Sequence, residues 1–87
     1  MTTVKLSKPV EHNGKIYDEF SFREAEVGDL MIADAVKGEM SKIIAVLASM
    51  ADVPLPAFRK VKSRDLNAIM AATKDLLGEE PPVTTGA

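Results

Sequence analysis

The chain of 87 residues contains no cysteine, no tryptophan and only one histidine. Without cysteine, no disulfide or thiolate-bound metal can stabilise the small core that so short a chain can form. Metal sites need three or four ligands, and a catalytic triad needs a base beside its nucleophile. The sequence around His12 contains neither a set of three or four metal ligands nor a nucleophile that His12 could serve as a base. The sequence therefore predicts a protein that is not an enzyme and has no metal or cofactor.

Long apolar runs and a strong charge of one sign are also missing. No apolar segment approaches the roughly 18 residues that a membrane-spanning helix needs, and the first residues lack the basic-then-apolar order of a secretion signal. The net charge is −2 at pH 7, whereas a general nucleic-acid binder normally has a clear basic excess. We therefore expect a soluble cytoplasmic protein that binds neither membrane nor nucleic acid.

Two segments with alternating apolar residues flank Asn13-Gly14, which is a turn signal, and together they predict a β-hairpin. A two-residue turn pairs Val10 with Tyr17, whereas a three-residue loop pairs Val10 with Ile16. We favour the three-residue loop because side-chain alternation specifies the register most strongly when one face is buried. It places the following residues on that face: Val4, Leu6, Val10, Ile16, Phe20 and Phe22.

The rest of the chain has helical periodicity. The pattern predicts a helix over residues 27–37 that ends at Gly38, a clear amphipathic helix over 39–51, a short helix over 56–60 and a helix over 63–77. We expect an α+β fold in which an N-terminal β-hairpin packs against about three α-helices. Residues 1–78 would form a single domain. Residues 79–87 are polar and proline-rich, which predicts a disordered tail.

The one cluster of basic residues lies at positions 59–64. It has three interpretations: a solvated connector, an electrostatic patch for an acidic protein partner, or a contact with phosphate. The last interpretation supports an alternative function, a small regulatory adaptor or DNA-associated factor. The acidic chain and the shortage of aromatic residues for base stacking count against it.

Four stretches in a fixed order suggest a family. Residues 6–10 precede an Asn-Gly-Lys turn, Phe22-Arg23-Glu24 precedes the Val-Gly-Asp-Leu of residues 27–30, residues 44–48 lead into Val53-Pro54, and Asp65-Leu66 begins the last stretch. In this order the chain resembles the phage tail assembly chaperones of Mu-like myophages and prophages.

The resemblance implies a non-enzymatic role in virion assembly in the host bacterial cytoplasm. Such chaperones keep the long helical tape measure protein soluble while tail-tube subunits polymerise around it. A longer form of the chaperone, made by ribosomal frameshifting, is a second implied partner. An amphipathic helix of the partner needs an apolar surface, for which the candidate residues, wholly or in part, are Leu30, Met40, Ile44, Leu47 and Met50. The alternative, that these residues simply cover the hairpin, stays open.

Overall fold

A computed structural model of the chain describes residues 1–77 as a hairpin followed by helices. Strand β1 (Thr2–His12) pairs antiparallel with β2 (Lys15–Phe22), and four α-helices and two 3-10 helices follow. The helices, in chain order, are α1 (Val27–Met31), a 3-10 helix (Ile32–Ala35), α2 (Glu39–Ala51), α3 (Leu55–Phe58), α4 (Ser63–Thr73) and a 3-10 helix (Asp75–Leu77). The predicted α+β class is confirmed. The predicted tail, residues 79–87, lies outside the described residues.

The core lies between one face of the hairpin and the helices α2, α3 and α4. At its centre, Phe20 of β2 stacks on Phe58 of α3 with 5.2 Å between the ring centroids, and Phe22 meets Phe58 edge-on. Aromatic pairs in these arrangements contribute beyond the area that they bury. The buried cluster comprises Leu6, Val10, Phe20, Phe22, Val46, Leu47, Ala48, Met50, Val53, Ala57, Phe58 and Ile69. The first 3-10 helix and α1 add no fully buried apolar side chain to it.

The predicted three-residue loop is wrong. Asn13 and Gly14 alone form the turn, both with positive φ (53° and 80°), as a two-residue hairpin turn of type I′ requires. Val10 accordingly pairs with Tyr17 near the turn. At the far end of the hairpin, however, Val4 pairs with Phe20, so the two ends do not share one register. A bulge in β1 between Lys5 and Val10 absorbs the difference.

The bulge has an identifiable physical cause in two residues of β1. Pro9 has no N–H to donate to a neighbouring strand. The N–H of Ser7 points away from β2 and donates to both carboxylate oxygens of Asp65 in α4, each at 3.0 Å. The Ser7 hydroxyl donates to the same carboxylate at 3.1 Å. A contact with a distant helix therefore replaces strand pairing at this point.

The altered register changes which residues form the buried face. Leu6, Val10, Phe20 and Phe22 are buried as expected, but Ile16 is 66% exposed. Its neighbour Tyr17 packs against the core instead. The expectation that Ile16 belongs to the buried face is therefore wrong, because the two-residue turn moves it to the opposite face.

Several helix boundaries also differ from the sequence prediction. The single helix expected over residues 27–37 is replaced by α1 and a 3-10 helix, after which Val36 is extended (φ −129°, ψ 162°). Gly38 (φ 93°) precedes α2 as its N-cap rather than ending a helix, and its carbonyl accepts the N–H of Lys42 at 3.0 Å. The helix expected over residues 63–77 begins at Ser63 but ends at Thr73, and the 3-10 helix Asp75–Leu77 follows it.

The hairpin face can be tested by comparing truncations on its two sides. We expect Phe20→Ala to lower the free energy of unfolding by about 3–5 kcal/mol, because it leaves a cavity among buried aromatic rings. Leu6→Ala should lower it by about 2–5 kcal/mol. Ile16→Ala, the exposed control on the same strand pair, should change it by less than about 0.5 kcal/mol. Urea denaturation measures all three, and a loss at Ile16 equal to that at Phe20 would contradict the observed register.

Candidate functional site

The segment formed by α1 and the 3-10 helix after it, here called the α1 segment, buries a polar side chain and exposes its large apolar ones. Its only buried residue is a carboxylate, Asp29. Four large apolar side chains of the same segment, Val27, Leu30, Met31 and Ile32, are between 39% and 72% exposed. An amphipathic segment of a globular protein normally turns its apolar side chains toward the core. These side chains are therefore available to a partner.

Met40, in the first turn of α2, is a further exposed apolar residue, with 53% of its surface accessible. The segment rests on α2, so the two elements present their exposed residues on neighbouring parts of the molecule. Two of the exposed side chains are methionines, whose flexible thioethers adapt to irregular partner surfaces. We call this set the apolar surface; it consists of Val27, Leu30, Met31, Ile32 and Met40.

A network of hydrogen bonds centred on Asp29 holds the segment in this orientation. The Arg23 guanidinium donates to the two carboxylate oxygens of Asp29 from Nη1 at 2.7 Å and from Nη2 at 2.9 Å. The N–H of Glu26 and the hydroxyl of Ser49 also donate to this carboxylate. Arg23 Nη2 further donates to the carbonyl of Ser49 at 3.1 Å. Arg23 just after β2, the start of α1 and the last turn of α2 are thus joined through one buried carboxylate.

The electrostatics of this network keep Asp29 ionised. The hydrogen bonds from Arg23 are the main reason why the pKa of Asp29 lies well below its ordinary value, and those from Glu26 and Ser49 act in the same direction against the opposing effect of burial. The Asp29 carboxylate in turn raises the pKa of Arg23. A carboxylate whose oxygens are engaged in this way is a structural anchor rather than a general acid or base.

Three clefts border the segment and α2. The first has a volume of about 300 Å³ and is lined by Val36, Lys37, Ser41, Ile44, Leu55 and Arg59. The second, of about 190 Å³, is lined by Leu30, Ala33, Lys42, Ile43, Val46 and Leu77. The third, also of about 190 Å³, is lined by Ile32, Ala45, Ala48, Ser49, Val53 and Leu55. Leu30 and Ile32 of the apolar surface thus line the second and third clefts, and a grooved surface suits the insertion of side chains.

The five residues predicted to bind a partner occupy different environments. Leu30 and Met40 are exposed and belong to the apolar surface. Ile44 is partly buried and lines the first cleft. Leu47 and Met50 are 0% and 1% exposed and lie in the core beneath the hairpin. The binding role stays a prediction for the first three, while Leu47 and Met50 have no surface to offer in this conformation.

Sequence reasoning missed three members of the apolar surface: Val27, Met31 and Ile32. Val27, Leu30 and Met31 have the spacing of one helical face, which normally indicates a buried stripe. The only available signal was Asp29 on a different side of that helix, six residues after Arg23. Nothing local indicates that this acidic side, rather than the apolar one, turns inward.

The remaining features considered from the sequence are a metal site, a membrane-spanning helix and the basic cluster at residues 59–64. Within residues 1–77, no group of three or more histidine, aspartate or glutamate side chains is placed to hold a metal ion. The helices of that same part of the chain are too short or too polar to cross a membrane. In the basic cluster, Lys60 Nζ donates to the carbonyl of Glu11 at 2.9 Å, and Arg59 lines the first cleft.

Comparison with known proteins places the chain in a family. A family model described as "Phage tail assembly chaperone proteins, E, or 41 or 14" matches residues 3–78, which include the hairpin and every helix described above. The chain belongs to this family of phage tail assembly chaperones. No curated protein and no solved structure matches it. Membership in a chaperone family indicates a non-enzymatic role.

The importance of the Asp29 anchor in this chaperone can be measured with a nearly isosteric substitution. We expect Asp29→Asn to lower the free energy of unfolding by about 1–3 kcal/mol, because it removes charge-assisted hydrogen bonds from a buried position. Amide hydrogens of residues 27–35 should exchange faster while those of α2 stay protected. Asp34→Asn, an exposed control in the same segment, should change neither measurement. Equal losses in the two variants would contradict the anchoring role.

The pH dependence of stability provides a second test of the same network. The folded-state pKa of Asp29 lies below the ordinary 3.8, so the unfolded chain takes up the proton first as the pH falls. The stability from Asp29 is thus complete above about pH 5 and is lost progressively below 3.8. The stability difference between wild type and Asp29→Asn should therefore shrink on acidification, as urea titrations at several pH values can show. A constant difference down to about pH 2 would contradict this assignment.

Proposed function

We propose that this chaperone binds an amphipathic helix of its phage's tape measure protein through the apolar surface, in the cytoplasm of the host bacterium. The observation that carries the proposal is the reversed packing of the α1 segment. A buried Asp29 holds the segment in place, and Val27, Leu30 and Met31 face outward. A chain this small has little apolar area to leave unused, so the exposure of four large apolar side chains in one short segment calls for a binding partner.

The chemistry of the surface suits this partner. The family resemblance implies a tape measure protein made of long helices, whose apolar faces need cover until the tail tube encloses them. A helix binds another protein by placing side chains at positions i, i+3, i+4 and i+7 into an apolar groove. The clefts beside Leu30 and Ile32 can accept such side chains, and exposed methionines such as Met31 can adjust to different ones.

Co-expression with fragments of the tape measure protein from the same phage tests this proposal. The unmutated chaperone should keep at least one helical fragment soluble. The double variant Leu30→Glu/Met40→Glu should stay folded by circular dichroism, because the two side chains are 48% and 53% exposed and lie outside the core, yet lose most of this activity. Ile16→Glu, a change of the same kind at an exposed apolar residue of β2, is the matched control and should retain it.

A core variant serves as a control for unfolding, and two results of the co-expression assay would contradict the proposal. Leu47→Glu should unfold the domain, because an unpaired charge in the core is unfavourable by several kcal/mol, and its loss of activity would then say nothing about binding. If the unmutated protein solubilises no tape measure fragment, the proposed function is wrong. If Leu30→Glu/Met40→Glu keeps full activity, the binding surface lies elsewhere on the molecule.

A further inference from the structure

The first cleft combines an apolar floor with a basic rim. Val36, Ile44 and Leu55 supply the apolar lining, and Lys37 and Arg59 supply the charges. With a volume of about 300 Å³, it is larger than the other two clefts described. A site of this composition can take an apolar side chain that has a negative charge beside it.

The charged residues that line the clefts are basic, although the chain as a whole has a net negative charge. The net charge is −2, yet the charged side chains that line the three clefts in the described part of the chain are Lys37, Lys42 and Arg59, all basic. Within residues 1–77 the salt bridges all involve Arg23, so these three cations have no carboxylate partner there. The exposed acids closest in sequence, Asp34 and Glu39, line none of the clefts.

We propose that the first cleft recognises acidic amphipathic helices: one apolar side chain of the partner enters between Val36, Ile44 and Leu55, and acidic residues beside it pair with Lys37 and Arg59. Residues three or four positions apart lie on the same side of a helix, so one helix can present both groups at once. The proposal rests on the proposed function and deepens it, since it gives the chemical class of the bound segment. A helix with basic flanks is repelled by the same rim.

Two synthetic helices test the proposal without any tape measure protein. Both carry the same leucine stripe, one flanked by glutamates and the other by lysines, and both are labelled for fluorescence anisotropy at physiological salt. The wild-type chaperone should bind the glutamate helix at least about tenfold more tightly. Lys37→Glu/Arg59→Glu should reverse this preference and recover binding of the lysine helix, which a general loss of structure cannot produce.

The control is Lys62→Glu/Lys74→Glu, which makes the same change in net charge at two exposed lysines outside the clefts. It should keep the wild-type preference. The cleft proposal is wrong if the wild type binds both helices equally or neither, or if the control shifts the preference as far as Lys37→Glu/Arg59→Glu does. It is also wrong if the unmutated protein is a dimer that Lys37→Glu/Arg59→Glu dissociates, since a second copy then occupies the cleft.

The co-expression assay separates this proposal from the function on which it rests. If the wild type and Lys37→Glu/Arg59→Glu solubilise a tape measure fragment equally well, the chaperone function stands and the cleft proposal is wrong. If no fragment is solubilised but the synthetic helices show the expected preference and its reversal, the cleft proposal stands and the proposed partner is wrong. Loss of solubilisation by Lys37→Glu/Arg59→Glu alone, with the control unchanged, supports both.

Discussion

The orientation of the α1 segment depends on one ion pair, in which the carboxylate is buried and the guanidinium is partly exposed. Asp29 receives both guanidinium nitrogens of Arg23 together with donors from the backbone of Glu26 and the side chain of Ser49. A buried carboxylate without partners is strongly unfavourable, so Asp29 is stable in this position only while Arg23 at the end of β2 points at it. The pair therefore couples the hairpin to the segment that carries most of the apolar surface.

A second carboxylate plays a comparable part at the other side of the hairpin. Asp65, in the first turn of α4, accepts the backbone N–H and the hydroxyl of Ser7, and these bonds hold its pKa below the ordinary value. Both aspartates lie near the start of a helix, where the helix dipole favours negative charge. Each thus helps to position a helix against the hairpin by hydrogen bonding. Helix α4 also buries Ile69 in the core, whereas α1 buries only Asp29.

The separate roles of the aromatic core and of the two aspartates relate the fold to its membership in a chaperone family. The aromatic cluster of Phe20, Phe22 and Phe58 provides a small, well-packed core, while the polar anchors hold the periphery. Apolar residues of the α1 segment can then face outward without loosening the core beneath them. The proposed binding of a partner helix requires this combination of a stable core and an uncovered apolar surface.

The local sequence determined the elements: Asn13-Gly14 and the alternating residues around it specified a hairpin, and helical periodicity specified α2 and α4. The bulge in β1 and the direction in which α1 faces were decided by tertiary structure alone. Both depend on hydrogen bonds between residues far apart in the chain, Ser7 with Asp65 and Ser49 with Asp29. Periodicity shows that an element has an apolar face, but it carries no information about which distant group will bind the polar one. Ile16, by contrast, was expected inside the fold and lies outside it because the turn has two residues rather than three.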